Sequence, residues 1–431
     1  MKKVNFSMKL LVLALVSVFC LSAISLNVAA ADKQIDFWHI RTGNLEDILL
    51  DSIERFEEDY PEYDVKITKI QPGENQTKVQ VAVGGGNPPD IFRTQGGGSF
   101  KPYVNAGEVV DLTNLLNESG YINNFSESAF EAVKYDEKIY AVPANGASAA
   151  MIWYNKEIFN KYDIDIPETW EDLKEVITFL QDKGYQAPIS LANRERWPAS
   201  EWFEYLVMRS GGDKLLVNAA DNNNEVSFSN DAFTEVGKKL QELVKMGAFN
   251  EGFNSASYDL GESRRLLYTE QAVMTLMGNW EHQNMLSENA EWAERIDYFT
   301  FPEVEDGSGD PSSVLGMSAQ DYYAISSDSD NKEIAFKLLQ YVYDEEATEA
   351  RAKAGNIPPV IGADEYIDNP ITSKLQADIS SANYVQQWGD KLMDPQLAEK
   401  HQDLIQQLLD LDITPEEYGE EMEKTRKENL E

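Results

Sequence analysis

The stretch Tyr135–Leu173, YDEKIYAVPANGASAAMIWYNKEIFNKYDIDIPETWEDL, decides the fold. Ile139–Pro143 reads as one strand and Met151–Asn155 as a second. Between them lies Asn-Gly-Ala-Ser-Ala-Ala, a connector with little side-chain bulk to resist rotation. A short helix follows, and Thr169 then opens a longer one. Thr169 can accept from the backbone N–H of Asp172, whose carboxylate reaches back to the free donors of the first turn. Leu173, Val176, Ile177 and Leu180 follow at helical spacing. Two strands joined by a small link suit a chain that crosses between lobes that must move.

Upstream, Ile35–Trp38 reads as a strand and His39–Asn44 as a polar loop. A helix carries Leu45, Ile48, Leu49, Ile53 and Phe56 on one face. Strand Val65–Ile70, helix Thr77–Val83 and strand Asp90–Arg93 complete a β-α-β-α-β order, which argues for an α/β lobe with a largely parallel sheet. Ligands of such sheets sit beyond the carboxyl ends of the strands, which places His39–Asn44 and Thr94–Ser99 at a cleft mouth. Downstream, helices at Thr169–Lys183, Glu201–Ser210 and Asp231–Met246 build a second lobe, with short strands Gln186–Ser190, Ala272–Leu276 and Asp297–Pro302. Strand Tyr322–Ser326 and helix Lys332–Tyr343 read as a return to the first lobe. Gly355 and Pro358-Pro359 mark a third crossing before amphipathic C-terminal helices. The expected division is a leader at 1–31, lobe one at 32–143 with 316–345, and lobe two at 146–312 with 350–431. Hinges fall near 143–148, 312–318 and 345–358.

Lys2, Lys3 and Lys9, the apolar run Leu10–Val18 and Ala29-Ala30-Ala31 form an export signal with a small-residue cleavage site. The single cysteine, Cys20, follows Phe19 rather than a small residue, which argues against a lipid anchor. Without it the mature chain has no thiol for disulfides, nucleophilic catalysis or zinc. The formal net charge is −38, and cleavage removes three lysines and no acids. Such a surface excludes nucleic acid as a partner. Acids scattered over helix surfaces read as a halophilic type of carboxylate coat.

The words "YAVP", "IWYNKEIFNKY" and "IPETWEDL" resemble the extracellular solute-binding proteins of sugar ABC transporters, the maltose-binding-protein-like family. "NPPDIFRTQGGG", "YTEQAVMTLMGNW", "YYAISSDSDNKEIAFKLLQYVYDEEATEARAKAGNIPPV" and "NYVQQWGDKLMDPQLAEKHQDLIQQLL" are similar to further segments of that family, in order along nearly all of the mature chain. The resemblance implies a two-lobe periplasmic-binding-protein fold of the class II type, α/β, with mixed, mainly parallel sheets and a three-strand hinge. It implies a monomer that closes on a neutral mono- or oligosaccharide outside the cytoplasm and hands it to membrane permease subunits, with no cofactor.

Sugar sites need flat aromatic faces for the C–H side of a pyranose, and Asp, Asn, Glu or Arg side chains for its hydroxyls. Of eight tryptophans, Trp280 in Gly-Asn-Trp-Glu and Trp388 in Gln-Gln-Trp-Gly-Asp match family segments that line the cleft, while Trp197 stands in polar company. Asn279 and Asp390 accompany them. His39, Arg41 and Asn44, then Arg93, Gln95 and Gly97, are the candidates in the first-lobe loops, and Asn145 is the candidate at the hinge. Trp153, Trp170, Trp202 and Trp292 read as packing residues. A uronic-acid ligand would need Arg93, Arg194 or Arg196 turned inward, and a polyamine is a further alternative. Tyr322-Tyr323 would be the pair for iron, but without a nearby His or Glu partner. Asp221–Glu225 begins like a calcium loop yet lacks the glycine and glutamate that follow in one. His39, His282 and His401 lie far apart in the chain, and there is no HExxH, GxSxG or phosphate loop, so no enzyme motif is present.

Overall fold

The computed structural model describes residues 33–221 and 226–428; the leader, Cys20 and residues 222–225 of the calcium-like run lie outside them. The chain begins with β1 (Lys33–His39), α1 (Gly43–Asp59), β2 (Tyr63–Lys69), α2 (Asn75–Gly84) and β3 (Ile91–Thr94). The strands lie parallel in the order β2-β1-β3, with Ile35 opposite Val65 and Phe37 opposite Ile91. α1 buries Leu45, Leu49, Ile53 and Phe56, the apolar stripe that its spacing predicts, the last three in one core with Ile35 and Phe37.

β4 (Val142–Asn145) joins this first sheet, and after Gly146-Ala147 the chain enters a second sheet as β5 (Ser148–Asn155). The strand starts at Ser148 rather than at Met151, so the link is two residues, not six. All eight residues of β5 are buried, as its run of small and apolar side chains requires of a strand covered on both faces. α3 (Trp170–Asp182) opens on the expected capping box: Asp172 N–H donates to Thr169 Oγ1 at 3.1 Å and Thr169 N–H to Asp172 Oδ2 at 3.0 Å. Next come α4 (Trp197–Gly211), α5 (Asp231–Lys245), β6 (Met274–Gly278), α6 (Trp280–Ala293), β7 (Ile296–Phe299) and β8 (Val314–Met317). Gln186–Ser190, expected as a strand, makes only isolated parallel bridges from Ile189 to Phe249 and Met274. Trp153, Trp170, Trp202 and Trp292 are buried in the second lobe.

β9 (Asp321–Ile325) returns to the first sheet between β3 and β4. α7 (Lys332–Val342) and α8 (Glu345–Lys353) pack on α1. The chain ends with α9 (Pro370–Ser381), β10 (Val385–Gln386), α10 (Pro395–Leu409) and α11 (Pro415–Glu428). The sheets are thus β2-β1-β3-β9-β4, and β10-β8-β5-β6 with β7 also on β5. They are mixed, and parallel pairing is confined to β2-β1-β3 and β8-β10 among the named strands. The expectation of mainly parallel sheets fails for a geometric reason. β4 leaves the first lobe where β9 enters it, and β8 leaves the second where β5 enters, so each adjacent pair runs antiparallel.

Residues 350–366, expected in the second lobe, stay largely on the first. The Arg351 guanidinium lies 4.9 Å from the Tyr343 ring centroid, and Val360 bridges Phe125. Contact with the second lobe is brief at Gly355, whose O accepts from Gln283 Nε2 at 3.2 Å, and is taken up again at α9, where Tyr298 Oη donates to Asp378 at 2.6 Å. On the way Ile357 O accepts from Ala147 N–H at 3.0 Å, Gly146 O accepts from Gln320 N–H at 3.0 Å, and Asn145 Nδ2 donates to Gln320 Oε1 at 2.9 Å. A Cβ on Gly146 would stand 1.5 Å from Ile357 O, so the three crossing segments meet only because residue 146 has no side chain. Gly146→Ala is expected to lower stability by about 1–3 kcal/mol or more through overpacking, read as an earlier urea midpoint with the m-value unchanged.

Candidate functional site

A cavity of about 520 Å³ lies between the two lobes. Arg41, Asn44, Gln76, Gln80, Arg93 and Gln95 line it from the first lobe. Trp197, Glu201, Glu204, Tyr258, Trp280, Trp388 and Asp390 face them from the second, while Asn145, Gln320, Asp321 and Ala354 close its hinge end. The rings follow one another edge to face. Tyr258 and Trp197 centroids are 4.9 Å apart, Trp197 and Trp280 6.0 Å, and Trp280 and Trp388 5.5 Å, with interplanar angles of 75°, 63° and 67°. Such a run offers faces and edges at several orientations within one pocket.

The first-lobe wall is built on one carboxylate. Asp321, 1 % exposed at the start of β9, accepts from Arg41 Nη2 at 2.7 Å and from Arg93 Nε at 2.7 Å, and Arg93 Nη2 also reaches it. Burial alone would raise the pKa of Asp321, but the Arg93 and Arg41 guanidiniums outweigh it and hold the carboxyl below its ordinary range. The second-lobe wall comes largely from α4, which is buried on most faces and yet carries Glu201 and Glu204. Arg196 precedes it with φ 67°, and Trp197 occupies its first turn. Glu204 accepts from Gly389 N–H at 2.9 Å and stands 3.4 Å from His401 Nε2.

Three sequence candidates stand apart from the cavity lining. His39 Nδ1 accepts from Arg41 N–H at 3.1 Å; burial, with Arg41 and Lys69 adding to it, depresses its pKa to about 4, so the ring is a neutral brace for the loop. Asn279 directs Nδ2 to Ala147 O at 3.2 Å and its N–H to Ala149 O at 3.0 Å, which ties it to the first crossing. Gly97 and Gly98 lie where the lobes touch. A Cβ on Gly97 would be 2.4 Å from Lys391 O, and one on Gly98 2.4 Å from Met393 O. Trp280 opens α6. Arg93 gives its guanidinium to Asp321, Arg194 bonds Ser257 and Glu195, and Arg196 pairs with Asp403, so each arginine offered to a uronate has a partner within the protein. Tyr322 and Tyr323 are both 1 % exposed in the first-lobe core. Among the described residues no group of three or more His, Cys, Asp or Glu side chains could hold a metal ion.

Residues that sequence reasoning missed include Glu201, Glu204, Tyr258, Gln320 and Asp321. For the two glutamates a signal existed, since they are the only acids in WPASEWFEYLVMRSG, a segment otherwise apolar around the helix. Replacing Asp321 by Asn should cost about 3 kcal/mol or more, because two buried guanidiniums lose their counter-charge. The native protein's contribution from Asp321 is present above the unfolded carboxyl pKa and is lost as pH falls through the lower folded one. Denaturant melts of wild type and D321N at neutral and acidic pH check both, with the difference narrowing in acid.

Comparison with known proteins adds the following. The sequence model of the family described as bacterial extracellular solute-binding protein matches residues 42–349. An uncharacterized ABC transporter extracellular-binding protein of Pyrococcus horikoshii is 26 % identical over 362 residues, covering 81 % of this chain and 77 % of the relative. The multiple sugar-binding protein of Streptococcus mutans is 22 % identical over 348 residues, 79 % of each chain. A structure from a study of xylan utilization by Caldanaerobius polysaccharolyticus superposes with a TM-score of 0.84 at 27 % identity, covering 91 % of this chain and 99 % of that one.

Proposed function

This chain belongs to the bacterial extracellular solute-binding proteins, and from that premise we propose that it is the receptor of an ABC importer, holding a neutral mono- or oligosaccharide between its lobes. The observation that carries the reading is the composition of the cavity. Tryptophans on one wall face amide side chains on the other, where the guanidiniums of Arg41 and Arg93 are both already bonded to Asp321. A sugar presents C–H faces to the rings and hydroxyls to the amides, and brings no charge that needs a partner. Relatives described as sugar-binding and as ABC transporter proteins agree with it. Export would follow from the leader, and no helix among the described residues is long and apolar enough to cross a membrane.

Closure follows from the same geometry. A ligand shifts the lobes only by binding the closed arrangement better, which contacts from both walls supply. Delivery would then require the permease to meet the closed shape.

A thermal-shift screen of neutral mono- and oligosaccharides tests the reading. A true ligand at a hundred times its Kd should add about 2.7 kcal/mol to stability. Trp280→Ala should weaken that ligand about tenfold or more with little change in the melt of the empty protein, because Trp280 is only partly buried. Trp388→Ala should lower both, since Trp388 is 7 % exposed and packed in the core. Silence across the panel, or turnover of chromogenic glycosides, would sink the proposal.

The glycine seam gives an independent check. Gly98→Ala touches nothing in the cavity, yet it should weaken the ligand several-fold by disfavouring closure. Small-angle scattering should show the ligand-saturated variant less compact than saturated wild type.

A further inference from the structure

Glu201 is 3 % exposed and lines the cavity, and neither of its carboxyl oxygens has a partner in hydrogen-bonding geometry. The acids around it are all supplied. On its own helix Glu204 has Gly389 N–H and faces His401. On α6, Glu281 has Arg264 at 3.2 Å and Tyr258 Oη at 2.7 Å. In the turn after Trp388, Asp390 pairs with Lys391. No Lys, Arg or His among the described residues comes within ion-pair distance of Glu201 itself: Arg264 pairs with Glu281, Lys391 pairs with Asp390, and His401 faces Glu204. A lone carboxylate buried beside three other acids is far costlier than the neutral acid.

We propose that Glu201 is the second-lobe group that grips the ligand and that it works as a neutral carboxylic acid, its O–H donating to one sugar oxygen and its C=O accepting from a neighbouring hydroxyl. This rests on the sugar reading above and adds a selection rule. An uncharged, hydroxyl-bearing unit fits at this wall, whereas a uronate would bring a further negative charge to it. Burial raises the pKa of Glu201 most, and Glu204, Glu281 and Asp390 raise it further; the Gly278 N–H, which does not reach hydrogen-bonding geometry, pulls it back only in part. Binding that needs the neutral acid is therefore complete below the pKa of the empty cleft and is lost as pH rises through it.

Calorimetric titration of wild type, Glu201→Ala and Glu201→Gln with the neutral oligosaccharide found by the screen, across neutral to alkaline pH, tests this. Wild type should lose affinity as pH rises. E201A should bind about tenfold more weakly at low pH, the loss of two hydrogen bonds, and E201Q should recover most of that loss and show a flat pH profile, because an amide both donates and accepts without titrating. A uronate-bearing analogue of the same length should bind wild type more weakly than the neutral one. Thermal melts of the empty variants at or above wild type show that they are folded, since each removes an unpaired buried acid. Wild-type affinity in E201A, a flat wild-type profile, or E201Q as weak as E201A overturns the inference while leaving the sugar reading intact. A wild type that binds no sugar overturns the sugar reading, and this inference falls with it.

Discussion

Three segments of chain pass between the lobes at one place, and the space there is set by the missing side chain of Gly146. Backbone bonds from Ala147 to Ile357 and from Gln320 to Gly146 hold the segments together. The amide of Asn145 bonds both others, accepting from Asn356 and donating to Gln320. The strands on either side run antiparallel because outgoing and returning chain share this gate. The same residues end in the cavity, where Asn145, Gln320, Asp321 and Ala354 form its hinge end. A ligand bonded to them would act on the crossing itself.

The two walls solve the problem of buried charge in different ways. On the first, Asp321 draws two guanidiniums into fixed positions, and burial makes that ion pair strong only because both partners stay in place. On the second, each acid finds its own donor, leaving Glu201 as the exception. The polar groups of the first wall are therefore oriented before ligand arrives, which spares the complex part of the ordering cost.

Local rules made much of this legible. The strand–link–strand pattern, the capping box at Thr169 and the apolar stripe of α1 are short-range features, each decided by neighbours within one or two turns. Tryptophans in polar company pointed to Trp280, Trp388 and Trp197, all of which lie on the cavity wall. What was not legible depends on long-range geometry. His39 and Asn279 resemble ligand-binding residues because they sit at strand ends, yet their side chains are taken up by Arg41 and Ala147. Glu201 and Glu204 were hidden among 75 acids, although the apolar run on either side of them sets them apart. Strand direction and the long stay of residues 350–366 on the first lobe follow from the shared gate, which no window of sequence contains.

The charged pairs nearest the cleft each stay within one lobe: Arg41 and Arg93 with Asp321 on the first side, Lys391 with Asp390 and Arg264 with Glu281 on the second. Where the lobes touch, the contacts are of another kind. Gly97 and Gly98 lie against the carbonyls of Lys391 and Met393, and Gly73 N–H donates to Asp259 at 3.2 Å. At the two glycines the lobes meet through backbone surfaces whose fit is steric and short-range. For a chain of net charge −38 this matters, because lobes held by surface ion pairs would loosen as salt screens them. The steric contacts of Gly97 and Gly98 do not depend on salt screening. At the two glycines the lobes therefore meet without a surface ion pair that salt could weaken.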